Sequence, residues 1–187
     1  MKIKLLLLLT LAVVALHAED TLKTTTLQRY YMPVRLFLEG ATIVMPADKY
    51  DFKLTPAQMS YAQWIKHSAG DNYRDCAIVG GDPNPVSQAQ VDQLKTKEEM
   101  VKAMRDSFKF CDAEFAKVDD QKILSSPQMT YTFLHISIHN NEVYGNMVGY
   151  MRASGVVPPS TEITQEMMKS KKTPEQLMKE LSDKYDK

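Results

Sequence analysis

Four short runs in this chain open like helices, and no stretch of convincing length alternates like a strand. Thr55-Pro56-Ala57-Gln58, Thr96-Lys97-Glu98-Glu99 and Thr173-Pro174-Glu175-Gln176 each place a threonine three residues ahead of a glutamine or glutamate. In that spacing each side chain satisfies a backbone N–H that the first helical turn leaves unbonded. Ser126-Pro127 supplies a fourth start, with proline at the helical position where its missing N–H costs nothing. Such a chain is expected to be all-α.

The apolar residues agree. Leu27, Tyr30, Tyr31, Val34, Leu38, Ala41 and Met45 fall at three- and four-residue steps, which predicts a first helix over Thr24 to Met45. Pro33 should start its regular part or kink it, and Pro46 should end it. A second helix is expected from Thr55 to about Val79, stopped by Gly80-Gly81. The polar, proline-bearing segment Asp82 to Gln93 reads as a loop. A third helix should run from Thr96 to about Lys117 with Val101, Met104, Phe108, Cys111 and Phe115 as its apolar stripe. A fourth should span Ser126 to Ser154 with Gly155 as its C-cap. Val156 to Pro159 should leave extended, followed by shorter helices over Glu162 to Ser170 and from Thr173 onward. Four long helices with mainly short connections imply an antiparallel bundle with appended C-terminal helices.

The first eighteen residues are of another kind. Lys2 and Lys4 precede an apolar run from Leu5 to Leu16 broken only by Thr10, and Leu16-His17-Ala18 ends it with a small residue. This is the pattern of a secretory signal cleaved after Ala18. The run is shorter than the roughly 20 apolar residues a membrane span needs. The expected organisation is therefore a signal peptide over 1–18, a bundle over 19–160 and a helical extension over 161–187, in a protein exported to the periplasm or secreted. Losing Lys2 and Lys4 from 23 basic residues leaves 21 against 23 acidic ones, a net of −2. So even a balance, with no basic patch, excludes nucleic acid as the main partner. In an oxidising compartment Cys76 and Cys111, on successive helices, can close a disulfide; as buried thiols they would pack as small apolar residues instead.

Three histidines remain after the signal: His67, His135 and His139. His135 and His139 are four apart and share one face of the fourth helix, with Glu142 one turn further on. Asp71 lies one turn beyond His67 on the second helix. If these faces meet, imidazoles and carboxylates converge as they do in the metal sites of helical bundles. Two imidazoles and one carboxylate suit zinc, iron or nickel and leave positions open for water or substrate. The alternative is a set of histidines satisfied by neighbouring hydrogen-bond partners, with no metal at all.

The stretch from His139 through Tyr144-Gly145-Asn146, Tyr150-Met151-Arg152 and Gly155 to Pro158-Pro159 resembles the fourth helix of DinB-like proteins. Met45 to Lys53, Thr55 to Tyr61, and His67 in mid-helix resemble the same family in the same order, so the resemblance covers about Thr24 to Pro159. It implies a four-helix bundle with an up-down-down-up arrangement. Many members bind a divalent metal through one histidine on the second helix and two on the fourth. Some are thiol-dependent transferases, and many have no known activity. By that resemblance His67 and His139 match two ligands, while the third position falls at Val143, which cannot bind metal. Glu142 is the expected replacement. Asp71 is a substitute from the second helix, as is His135, which would have to reach across about 6 Å of helix rise.

Two function classes follow. One is a metal-dependent enzyme of the thiol-transfer or hydrolytic kind with His67 and His139 as ligands; export weakens the thiol version, because reduced small thiols are mainly cytoplasmic. The other is a non-catalytic bundle that binds a small molecule or a protein in a cleft between helices. Bundles of this type can also pair into homodimers through helix faces. No nucleophile arrangement and no phosphate loop stands out, so no catalytic residue is singled out.

Overall fold

The computed structural model describes residues 21–170, 172, 176, 177, 179, 180 and 183. The expected signal peptide over 1–18 and the helix start at Thr173-Pro174-Glu175 lie outside them. Among the described residues all regular structure is helical, and no helix is long and apolar enough to cross a membrane.

The first long helix is one continuous rod in three parts: α1 (Leu22–Thr26), a π-helical segment (Leu27–Tyr31) and α2 (Met32–Val44). Pro33 explains the middle part. It has no N–H, and its ring would strike the carbonyl four residues back in a regular helix. One wider turn, in which the Met32 N–H reaches back to Leu27, takes up the misfit without breaking the rod. Asp120 caps the start, accepting from the Leu22 and Lys23 N–H groups at 2.8 and 3.0 Å. At the other end the Tyr61 hydroxyl donates to the Ala41 carbonyl at 2.8 Å and Tyr50 donates to that of Thr42. Lys97 donates to the Ile43 and Met45 carbonyls at 2.7 and 2.8 Å. A cation there also suits the negative end of the helix dipole.

Helix α3 (Tyr61–Gly80) starts later than its expected Thr55. Thr55 to Gln58 forms only a turn, closed by the Gln58 N–H on the Thr55 carbonyl at 3.1 Å. The working capping box is Ser60 with Gln63. The reason is tertiary: the Tyr61 and Ala62 N–H groups are taken by the carbonyls of Phe52 and Tyr50, at 3.1 and 2.8 Å, so the helix opens where the chain folds back on that loop. Gly81, at φ 96°, ends it in the left-handed conformation that glycine adopts freely. The expected loop over Asp82 to Gln93 contains a short helix, α4 (Gln88–Asp92), capped by Ser87. Helix α5 (Lys97–Ala116) opens on the Thr96–Glu99 capping box as expected. A four-residue helix, α6 (Asp120–Ile123), precedes α7 (Pro127–Ala153), which is capped by Ser126 and followed by Gly155 at φ 75°. Helix α8 (Pro159–Lys169) begins three residues before its expected Glu162, because Pro159 takes the first helical position.

The long helices close a ring. α3 packs on α5 and α7, and α2 packs on the same two. Tyr31, Leu38, Ile65, Met104, Phe108, Phe133, Val143 and Met147 fill the space between them and are almost fully buried. Directions follow from which residues meet. Ser68 meets Met104, Asn72 meets Ser107, and Cys76 is bonded to Cys111. These contacts advance together along both helices, so α3 and α5 run parallel, unlike the antiparallel neighbours that connection length alone implied. The connection from Gly81 to Thr96, with α4 inside it, is long enough to return along a helix of about 30 Å. By the same test α3 and α7 are antiparallel, since His67 meets His139 while Asp75 meets His135. α2 and α5 are antiparallel too: Tyr31 meets Asp112, and Ile43 meets Lys97. The cysteines, either bridged or free on sequence grounds, form a disulfide joining the two parallel helices.

Candidate metal centre

A buried polar chain sets the register of α3 against α5 and α7. Ser68 Oγ donates to Asn140 Oδ1 at 2.7 Å, Asn140 Nδ2 to Asn72 Oδ1 at 2.7 Å, and Asn72 Nδ2 to Ser107 Oγ at 3.1 Å. Asn140 Nδ2 also reaches the Ile136 carbonyl, and Ser107 Oγ that of Met104. Any slip would strand buried donors and acceptors, each at a cost of roughly 1–3 kcal/mol. Ser68 and Asn72 follow His67 and Asp71 directly in sequence, and Asn140 follows His139. The polar chain therefore fixes where those three side chains stand.

They stand together. His67 Nε2 lies 3.0 Å from His139 Nε2, and Asp71 Oδ2 lies 3.1 Å from His139 Nε2 and 3.7 Å from His67 Nε2. A circle through three points so spaced has a radius of about 1.9 Å. A centre lifted slightly out of their plane is thus about 2.0 Å from all three, which is the length of a Zn–N or Zn–O bond. The three residues fit a divalent cation, and they could hold one. Two imidazoles and a carboxylate on one side leave the remaining positions to water or a ligand. The side chains of His139 and Asp71 are only 15% and 11% exposed, but His67 is 36% exposed and opens the group to solvent.

Protons alone satisfy this group less well. One proton on His139 Nε2 can be shared between Asp71 and the lone pair of His67, whereas protons on both facing nitrogens would oppose each other. The hydrogen bond that His139 donates to Asp71 raises the His139 pKa above the usual imidazole value despite burial, and the charges of Asp71 and Glu142 add to it. Burial works against the Asp71 carboxylate, but the hydrogen bond to His139 and the Arg74 guanidinium outweigh it and lower its pKa.

The other expected residues are placed around this group. Glu142 touches the far side of the ring, with Oε2 3.5 Å from His139 Nδ1, and is not among the three converging ligands. His135 pairs instead with Asp75, Nδ1 to Oδ2 at 2.9 Å. Its ring stacks on His139 with centroids 5.1 Å apart, and Tyr131 stacks on its other face at 5.2 Å. Val143 is fully buried in the core. Trp64 meets His67 edge-on at 6.2 Å, as a wall. Sequence reasoning missed Asp75 and Arg74. The signal for Asp75 was present: His67, Asp71 and Asp75 step by four along α3, against His139, His135 and Tyr131 stepping by four back along α7. On antiparallel helices two such rows lie face to face.

Beside the group opens a cleft of about 390 Å³ between α3 and α4, lined by Lys66, His67, Asp71, Arg74, Gln88 and Asp92 among others. Its shape depends on Gly70. A Cβ there would stand 1.9 Å from Gln88 Oε1, so any larger residue would make the Gln88 side chain, part of the cleft wall, swing aside. No protein-family model, no curated protein and no solved structure matches the chain.

Proposed function

We propose that this chain is an exported, DinB-like four-helix bundle that binds one divalent cation through His67, Asp71 and His139 and uses it for hydrolytic or thiol-transfer chemistry. The observation that carries the reading is the convergence of three ligand atoms on a single point at bonding distance from each. The helix directions support the bundle. Taking α2 as up, α3 and α5 are down and α7 is up, which is the arrangement the family resemblance implies. Asp71 would take the place that Val143 cannot fill, from the neighbouring helix rather than from α7.

A metal in this site would supply a bound water or thiol of lowered pKa, a nucleophile at neutral pH. The chain's own part is positional. The buried Ser68–Asn140–Asn72–Ser107 chain holds the ligand helices in register, Arg74 holds the second oxygen of Asp71 at 2.6 Å, and the cleft admits ligand from the His67 side. The second reading, a non-catalytic binding module, has one observation in its favour: the His67–His139–Asp71 triangle can also close around a single shared proton.

The test is metal content by mass spectrometry on untagged protein from residue 19 onward, beside His139→Ala and Asp71→Asn. Near-stoichiometric zinc, nickel or iron in the wild type that is lost in both variants is the expected result. Metal far below stoichiometry, unchanged by either substitution and not restored by adding those ions, would leave the binding module.

A further inference from the structure

We infer that the cleft beside His67 and Asp71 binds a small oxyanion, a carboxylate or phosphate group, one oxygen of which takes the open metal position while another is held by Arg74. The inference rests on the metal reading above and adds the class of ligand to it.

Arg74 is the reason. Its Nε donates to Asp75 Oδ1 at 2.8 Å and its Nη1 to Asp71 Oδ1 at 2.6 Å. Asp71 is thereby shared, with Oδ2 turned to the histidines and Oδ1 to the guanidinium. The guanidinium consequently stands one carboxylate away from the metal position. Among the described residues no acceptor engages its Nη2, and the Arg74 side chain is half exposed on the cleft wall. Two of its three nitrogens are anchored, so its orientation is already settled before anything binds, and little side-chain freedom is left to lose.

The charge balance points the same way. Lys66 and Arg74 line the cleft against Asp71 and Asp92, a net of zero from the protein. A divalent ion on His67, Asp71 and His139 turns that to +2. Lys66 spends its ammonium on the Asp92 carbonyl at 3.1 Å, and the Asp92 carboxylate accepts from Gln88 at 2.8 Å. The metal-loaded cleft thus attracts anions. A group with two oxygens on one carbon or phosphorus can bridge metal and guanidinium, which a neutral single-atom ligand cannot do.

The rival account makes Arg74 only a counter-ion for Asp71 and Asp75. It predicts the same change for every ligand that reaches the metal, charged or neutral. The experiment is a titration of the cobalt(II)-loaded protein with acetate, inorganic phosphate and imidazole, followed by the visible absorption of the metal. Arg74→Gln should weaken acetate or phosphate by about tenfold or more, the usual worth of a charged hydrogen bond, and leave imidazole within about threefold. Arg74→Lys keeps a cation beside Asp71 and Asp75 without the planar fork. It should also lower the ratio of anion to imidazole affinity, and it carries the test if Arg74→Gln does not fold. A response to acetate alone identifies a carboxylic acid, and one to phosphate alone a phosphoryl group. Anion and imidazole affinities that fall together, or no anion effect in the wild type, would overturn the inference while leaving the metal site intact. No cobalt spectrum in the wild type would take down the metal reading and the inference with it.

Discussion

Two polar clusters bridge pairs of helices in this molecule, and they are built from similar side chains to opposite ends. Between α2 and α5, the Tyr31 hydroxyl meets Asp112 at 3.0 Å and the Phe108 carbonyl at 3.2 Å. Arg35 holds Glu39 at 2.9 Å and pairs with Asp112. There every carboxylate faces a donor. Between α3 and α7, three atoms that all carry lone pairs face one another, and one proton is the most they can share. Both clusters are rich in charge and run from the buried core to one residue open to solvent, Asp112 in the first and His67 in the second. What separates them is the balance of donors and acceptors: the first is complete in protein, while the second has room for a cation or a single shared proton.

The largest expected effect falls on the complete cluster. Arg35→Met takes the guanidinium from Glu39, whose side chain is 3% exposed, and should cost about 3 kcal/mol of stability in urea unfolding, as breaking a buried pair does. The effect of added zinc should be the same in this variant as in the wild type. Next comes the incomplete cluster. Zinc at 100 times its dissociation constant should stabilise the wild type by about 2.7 kcal/mol. In His139→Ala that gain should vanish, read as a missing rise in melting temperature. If zinc stabilises His139→Ala as well as it does the wild type, the distinction between the clusters collapses.

A smaller effect lies in the pH dependence of the metal-free protein. His139 has a folded pKa above its ordinary 6.5. Its contribution is complete below pH 6.5 and is lost as pH rises through the elevated folded value. Asp71 is depressed below 3.8, so its contribution holds above that value and is lost as pH falls through the lower folded one. Urea midpoints should therefore decline on both sides of a window between those limits. Zinc should reverse the upper limb, since metal competes with protons and binds more tightly as pH rises. In the other cluster burial, with Asp112 beside it, pushes the Tyr31 hydroxyl well above 10.0, so Tyr31 adds no step to the upper limb below pH 10. A zinc-bound protein that still weakens above pH 6.5 would mean that protons, not metal, complete the site.

Sequence pattern made the helices legible because local signals write them. Thr96, Ser126, Gly81 and Gly155 cap as their residue types demand, and Pro159 still starts a helix where only an extended exit was expected. Where the reading failed, contacts distant in sequence decided. Thr55 lost to Ser60 because Phe52 and Tyr50 claimed the N–H groups of Tyr61 and Ala62. Connection lengths pointed to antiparallel neighbours, and the parallel pairing of α3 with α5, implied by the family resemblance alone, is seen in which residues meet, from Ser68 and Met104 to Cys76 and Cys111. The site was half legible for the same reason. Spacing put His67 with Asp71 and His139 with His135, but the offset between the helices comes from Asn72, Asn140 and Ser107, buried polar residues that no periodicity marks. That offset turned Asp71 rather than Glu142 towards the facing nitrogens.

The smallest predicted effect is thus the sharpest test of the site's assembly. Glu142 is 71% exposed and meets Nδ1 of His139, the nitrogen turned away from His67 and Asp71. Its only route to influencing a bound metal is as an acceptor for the Nδ1 proton, which would favour the tautomer whose Nε2 lone pair is free to bind. Buried partners of that kind are worth roughly 10–100-fold in affinity. One this exposed competes with water, and its charge is screened. Glu142→Gln keeps the acceptor oxygen and should change zinc affinity by less than about threefold in a competition titration. Asp71→Asn should lose far more in the same assay. If the two losses are equal, or their order is reversed, the metal is gathered from α7 alone, and the contact between the α3 and α7 rows is a salt-bridged seam like the one between α2 and α5.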